Sequence, residues 1–343
     1  MRIFVTPSQD TTLYQRYPTN NAGLDEIIEV GKVATPEDMT IAYSASAARG
    51  LISFTLPTSG YDSSSAEYFL NLKIANAEKL PINQQLSVQL ASTAWTEGSG
   101  YFYQQSVNAG DGATWRQATS AVSWSTAGGD IVSSPSKSIS LSEYPLQDLR
   151  INISSVMQPI ISQTRAWYGL IIKYPSTSEL DANNKGNIKF FSKQTHTVHA
   201  PTLEIAWDGA AFSTGSLKPI PNTVDLQIVA RNPREAYSIG TREKVQITVR
   251  DKYPVKNFDS VMRYKNKYYL PATSYFSIVD AQSDTVIIPF DEYSKISCDS
   301  ASSFFILDTS PLYKNRYYKV RVKIYNTADD ITYIDNLYTF LVK

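Results

Sequence analysis

The chain has 343 residues, enough for two domains each with a core of its own. Its 32 basic and 32 acidic side chains cancel, which removes the cationic excess on which phosphate binding rests and excludes nucleic acid as the main partner. Cys298 is the only cysteine, so no intramolecular disulfide forms, and no stretch approaches the ~20 apolar residues of a membrane-spanning helix.

From the start of the chain, Met1-Arg2-Ile3-Phe4-Val5 reads as a strand and not as the apolar run of an export signal, so synthesis and folding in a reducing cytoplasm are expected. Short apolar alternations broken by Gly, Pro, Asn and Ser predict strands over 26–30, 51–56, 68–74, 86–91, 168–173 and 202–207. The segment 146–157 reads two ways. Leu146, Leu149, Ile153 and Val156 fall at helical spacings, whereas Ile151-Asn152-Ile153 alternates as a strand followed by a turn would.

Composition shifts near residue 208. All five Trp and both His lie before it, and 13 of the 23 Tyr, with Cys298, lie after it. The small, polar stretch from Asp208 to Ser216, stiffened by Pro219 and Pro221, predicts a linker over 209–222. Beyond it, strands are expected over 224–230, 244–250, 318–325 and 338–342. The predicted fold is all-β: an N-terminal jelly-roll or β-sandwich over 1–208 and a C-terminal immunoglobulin-like β-sandwich over 223–343.

Several motifs of the first domain occur together and in order. They are Thr11-Thr12-Leu13-Tyr14, Pro18-Thr19-Asn20-Asn21-Ala22-Gly23 and Ile27-Ile28-Glu29-Val30-Gly31, then the arginine-led strand Arg49-Gly50-Leu51-Ile52-Ser53-Phe54. Trp95-Thr96-Glu97 with Thr114-Trp115 follows, and Ser192 with Pro201-Thr202-Leu203 closes the series. With these motifs the first domain resembles the DNRLRE family of β-jelly-roll modules, which occur on microbial surface and secreted proteins. Thr55 stands where that family commonly has an acidic residue. The resemblance also raises a structural calcium, for which Asp10, Asp111 and Asp130 are the candidates.

Groups suited to catalysis are sparse. His196 and His199 are spaced like metal ligands, but on a strand residues three apart face opposite ways. Cys298 has no histidine in its domain to activate it, and the carboxylate pairs Asp291-Glu292 and Asp329-Asp330 sit in turn-like sequence. No enzyme activity and no cofactor are expected.

Aromatic residues carry the remaining signal. Tyr101, Tyr103 and Trp124 are the candidate glycan or interface aromatics, and the Tyr–Lys runs supply candidate interface residues Tyr264, Tyr268, Tyr269, Tyr313 and Tyr317. The expected role is that of a virion structural protein of a tailed bacteriophage, assembled in the host cytoplasm and docking to other virion proteins in many copies, without nucleic acid or membrane as partner. The alternative is an adhesive module recognising a cell-surface glycan, at the cell surface or outside the cell.

Overall fold

The computed structural model describes all residues except 34–45, 104–110, 145, 182, 184, 222–225, 232, 254–266 and 326–330. The chain divides into an N-terminal unit, Phe4–Ile205, and a C-terminal unit made of Met1–Ile3 and Ala206–Lys343. Both are built from mainly antiparallel sheets, and the fold is an all-β sandwich type, as the sequence predicts.

The strands of the first 206 residues are β1 (Arg2–Val5), β2 (Pro7–Tyr14), β3 (Ile27–Val33), β4 (Ser46–Phe54), β5 (Glu67–Leu72) and β6 (Ile74–Glu78). They continue with β7 (Gln84–Ala91), β8 (Ile131–Leu141), β9 (Leu149–Asn152), β10 (Leu170–Lys173), β11 (Gly186–Phe191) and β12 (Thr202–Ala206). One sheet runs β1-β12-β5-β9. The other runs β6-β11-β3-β4-β10-β7-β8, with β2 also paired to β4. Between them lies a core that includes Val30, Ile52, Phe54, Leu70, Val88, Ile172, Phe190 and Ile205. All four residues of β10 are buried, as a strand covered on both faces must be.

The ambiguous segment 146–157 contains both predicted elements. Pairing with β5 holds Leu149 to Asn152 extended, and helix α1 (Ser154–Ile161) begins only after it. Asn152 Oδ1 accepts the Ser154 N–H at 3.0 Å where the chain changes conformation, and α1 buries Val156 and Met157. A second short helix, α2 (Ser176–Glu179), follows β10 and carries the buried Glu179.

The C-terminal unit contains β13 (Lys218–Pro219), β14 (Leu226–Arg231), β15 (Ala236–Tyr237), β16 (Arg242–Asp251), β17 (Tyr268–Tyr269) and β18 (Ser274–Asp280). After these come β19 (Val286–Ile288), β20 (Ser297–Cys298), β21 (Ser303–Asp308), β22 (Arg316–Tyr325) and β23 (Ile331–Val342). Its sheets are β13-β17-β16-β21-β20, with β14 on β16, and β15-β23-β22-β18-β19. Parallel pairing of β15 with the end of β23, among antiparallel neighbours, fits the expected immunoglobulin-like sandwich.

The same fold places a tyrosine near the start of β22 to tie down the preceding connection. Tyr318 is buried, and its hydroxyl accepts the Tyr313 N–H at 2.8 Å. Tyr318→Phe leaves that amide unpaired, and denaturant unfolding of the C-terminal unit should show a loss of about 1–3 kcal/mol.

The stretch expected to be a linker is hydrogen-bonded into the C-terminal unit as far as Pro219. The Cys298 N–H donates to the Ala211 carbonyl at 2.8 Å, the Ser213 N–H donates to the Cys298 carbonyl at 2.9 Å, and β13 pairs with β17. Small polar composition marked these residues as free chain, but their backbone groups pair with strand residues far along the sequence.

Candidate functional site

In the N-terminal unit, residues 92–130 include no strand or helix among those described and line the outer face of the larger sheet. Trp95, Trp115 and Trp124 pack there against Leu13, Leu51 and Ile171 as a second core. The indole N–H of Trp95 donates to the Tyr168 carbonyl at 2.7 Å, and that of Trp124 to the Thr114 carbonyl at 2.8 Å. Trp124 is only 6% exposed, so the expectation that it forms a surface platform is corrected. Its indole fills the space beneath an irregular segment that has few other apolar side chains.

Asn21 holds this segment in place. Its Nδ2 donates to the carbonyls of Glu97 and Ala113 at 2.8 and 2.9 Å, and its Oδ1 accepts the N–H groups of Gly23 and Gly100 at 3.2 and 2.8 Å. Gly98 crosses this side chain at φ +79°, and a Cβ there would sit 2.5 Å from Asn21 Oδ1. The turn chemistry read from Asn21 and Gly23 therefore serves a long-range contact as well as a local one.

Beyond Gly100 the chain adds aromatic rings to those of Tyr14 and Tyr17. Phe102 lies 4.3 Å from Tyr14 and 5.2 Å from Tyr17 between centroids, and its N–H donates to the Asp25 carboxylate at 3.2 Å. Burial pushes Asp25 up to about 6 despite that hydrogen bond, and Glu29 adds to the rise. Tyr101 and Tyr103 stand 5.9 Å apart, and Tyr103 is 74% exposed. These two expected aromatics thus lie together, one ring open to solvent and a half-buried carboxylate in the same loop cluster.

Two groups of buried and half-buried polar side chains brace the unit. Glu97 Oε1 accepts from the Asp10 N–H at 3.0 Å and the Gln194 side-chain amide at 2.8 Å, while Lys193 Nζ reaches Glu97 Oε2 at 2.7 Å. Asp10 is fully buried and accepts the Lys193 N–H at 2.6 Å. Separately, Arg49 grips Glu179 through two hydrogen bonds of 2.9 and 2.8 Å, and Lys173 Nζ meets the same carboxylate at 2.8 Å.

The three aspartates raised for calcium have different partners. Asp10 is held as above, Asp111 accepts from the Ser99 N–H at 3.0 Å, and Asp130 accepts from Thr93 Oγ1 at 2.8 Å and the Thr126 N–H at 2.8 Å. Among the described residues no group of three or more His, Cys, Asp or Glu side chains converges as metal ligands would. His196 Nε2 lies 3.5 Å from Glu26, and the His199 ring packs 5.3 Å from Phe191.

In the C-terminal unit the candidate tyrosines scatter. Tyr268 is 7% exposed, which corrects its reading as an interface residue: pairing of β17 with β16 turns it inward. Tyr269 is half-buried, edge-on to Phe212 at 5.7 Å, and Tyr313 is half-buried, with burial pushing its hydroxyl up to about 12. Tyr264 and the pair Asp329-Asp330 lie outside the described residues. Asp291 caps a short helical turn over Glu292–Ser294, and Cys298 is buried, which pushes its thiol pKa up.

Tyr317, 52% exposed, belongs to a face that sequence reading only partly found. Along β22 the inward Tyr318, Val320, Val322 and Ile324 alternate with Tyr317, Lys319, Arg321, Lys323 and Tyr325. Lys323 lies opposite Tyr275 of β18 on one side and Tyr333 of β23 on the other. Lys319 pairs with Asp284 at 2.7 Å, Arg321 with Asp335 at 2.9 Å, and Lys323 lies 4.8 Å over the Tyr325 ring. Alternation in 318–325 marked the strand, but only strand pairing shows that Tyr275 and Tyr333 share its outer face.

No family model matches the chain, and no curated protein matches it. Among solved structures, a DUF4785 family protein from Legionella pneumophila is similar over 100% of this chain at 8% identity and a TM-score of 0.19, a level from which no common fold follows. The chain spans 64% of that protein's length.

Proposed function

We propose that this chain is a non-catalytic structural protein of a multi-chain particle, the virion of a tailed bacteriophage, and that it works by protein–protein docking. The observation that carries this reading is the outer face of β22 and its neighbours, where Tyr275, Tyr317, Tyr325 and Tyr333 interleave with Lys319, Arg321 and Lys323. Tyrosine and arginine are enriched at protein interfaces, and the Lys323 ammonium lies over the Tyr325 ring. Sandwiches without disulfides suit assembly in a reducing host cytoplasm.

The particle reading is tested by fractionating a lysate of the source by size and following the chain by mass spectrometry. Migration with a multi-megadalton particle is expected; recovery only as free chain would sink the reading. The double variant Arg321→Glu, Lys323→Glu should reduce incorporation on the order of tenfold, because it places like charge where the partner's complementary charge docks.

A second reading is favoured by Tyr101 and Tyr103. Their neighbouring rings, with the Asp25 carboxylate beside Phe102, offer a stacking surface and an acceptor for a sugar hydroxyl. A glycan-array screen of the full chain against its Tyr103→Ala variant addresses this, with binding lost in the variant as the expected result.

A further inference from the structure

Three of the described edge strands carry features that discourage pairing with another chain. In β8 these are Pro135, Lys137 and a register shift opposite Gln89 and Leu90. β6 is five residues long and ends at Glu78, and β19 has only three residues.

β23 also carries a register shift, between its pairings at Ile334 and Tyr338, but Ile331 to Ile334 keep one register. On one side β22 pairs with Ile331 to Ile334 and with Tyr338 to Val342. On the other, among the described residues, β15 takes only Leu341 and Val342, where the Leu341 N–H donates to the Glu235 carbonyl and the Lys343 N–H to the Tyr237 carbonyl, each at 2.8 Å. β14, beside it, gives its pairing to β16 in the other sheet. The unpaired stretch begins Ile331-Thr332-Tyr333-Ile334, four uncharged strand-favouring residues with no proline. Ile331 and Tyr333 are 48% and 51% exposed.

We infer that this edge pairs with the same edge of a second copy of the chain, antiparallel about a two-fold axis, joining two five-stranded sheets into one. The inference rests on the multi-copy reading above, which supplies the second copy. A strand paired antiparallel with itself is self-complementary, so one segment provides both halves of the contact. With the axis at Tyr333, the two Tyr333 rings meet, Thr332 faces Ile334, and Ile331 faces Asp335. No like charges are then opposed, and the Asp335 carboxylate is already held by Arg321 at 2.9 Å and Lys319 at 3.6 Å.

Sedimentation equilibrium of the full chain over a range of concentrations tests this. A reversible dimer is expected, weakened at least about tenfold by Tyr333→Lys, which sets two lysines against each other at the axis. Ile331→Lys should weaken it less, and Ile82→Lys, at an 86% exposed residue of the N-terminal unit, should leave it unchanged. The substitutions at Tyr333 and Ile331 replace half-exposed side chains, and an unchanged circular dichroism spectrum would show that the variants fold. Amide exchange over 331–336 should slow as the dimer forms. A chain monomeric at every concentration, or a dimer indifferent to Tyr333→Lys, overturns the inference. Protection of 331–336 in particles but not in the free chain would also overturn it, assigning the edge to a different strand. Particle incorporation is a separate measurement, so a monomeric chain found in particles defeats the self-pairing alone.

Discussion

Replacing Glu179 by alanine is expected to destabilise the N-terminal unit by about 3–5 kcal/mol, because it strands the buried Lys173 and the partly buried Arg49. Arg49 reaches Glu179 from β4 through two hydrogen bonds, and Lys173 reaches it from β10. Both cations sit in the larger sheet, and the Arg49 guanidinium also donates to the Gly128 carbonyl at 2.7 Å and lies 4.9 Å over the Trp115 ring. Loss of the carboxylate therefore acts on the sheet and on the segment that covers it. Denaturant unfolding followed by tryptophan fluorescence measures the change, since Trp95, Trp115, Trp124 and Trp167 all belong to this unit. Glu179→Gln keeps the shape and part of the hydrogen bonding and should cost less than alanine. A loss under about 1 kcal/mol for alanine would mean that solvent already screens the pair, as at an exposed ion pair.

Asp10→Asn should make the protein more stable at pH 8 and flatten its stability between pH 4 and 8. Burial raises the Asp10 pKa from 3.8 to about 7, against the opposing hydrogen bond from the Lys193 N–H, and the neighbouring Glu97 adds to the rise. The folded protein thus holds a proton that the unfolded chain has released. Below pH 3.8 both states are protonated and the group costs nothing. Between 3.8 and 7 each rise in pH favours unfolding, and above 7 the whole cost of a buried carboxylate is present. At about 1.4 kcal/mol per pH unit, that cost reaches about 4 kcal/mol. Asparagine has nothing to ionise, and its side-chain oxygen can still accept the Lys193 amide. Urea unfolding of both proteins at pH 5 and pH 8 decides the matter: parallel pH profiles would show that Asp10 is ionised throughout.

Asp10 is tied directly to the segment that presents Tyr101 and Tyr103, and Glu179 is tied to it through Arg49. Asp10 and Glu97 join β2 to that segment and to Lys193, and Asn21 joins it to the turn before β3. The exposed ring of Tyr103 thus depends on a polar framework, which explains how a stretch without regular structure holds aromatic side chains in place.

The sequence by itself determined the all-β class and about half of the strand positions, because period-two alternation needs only one buried face to be visible. Residues 318–325 show this best: their inward residues are apolar and their outward residues charged or aromatic. Alternation failed where burial is not one-sided. β2 went unread because Asp10, Thr11 and Thr12 are buried polar residues under the irregular segment, so its pattern carries no apolar period. Composition likewise could not show that Ala211, Ser213 and Lys218–Pro219 pair with Cys298 and β17 across a long sequence separation. Aromatic content pointed to candidate surface residues but could not sort them: Tyr103 and Tyr317 are exposed, whereas Trp124 and Tyr268 are buried. Exposure is a property of what folds over a side chain, and for these four residues that cover comes from segments distant in the chain. The tertiary structure alone set Tyr275 and Tyr333 beside Lys323, gave Arg49 its carboxylate, and left the outer side of Ile331–Ile334 in β23 without a described pairing, since each follows from which strands pair.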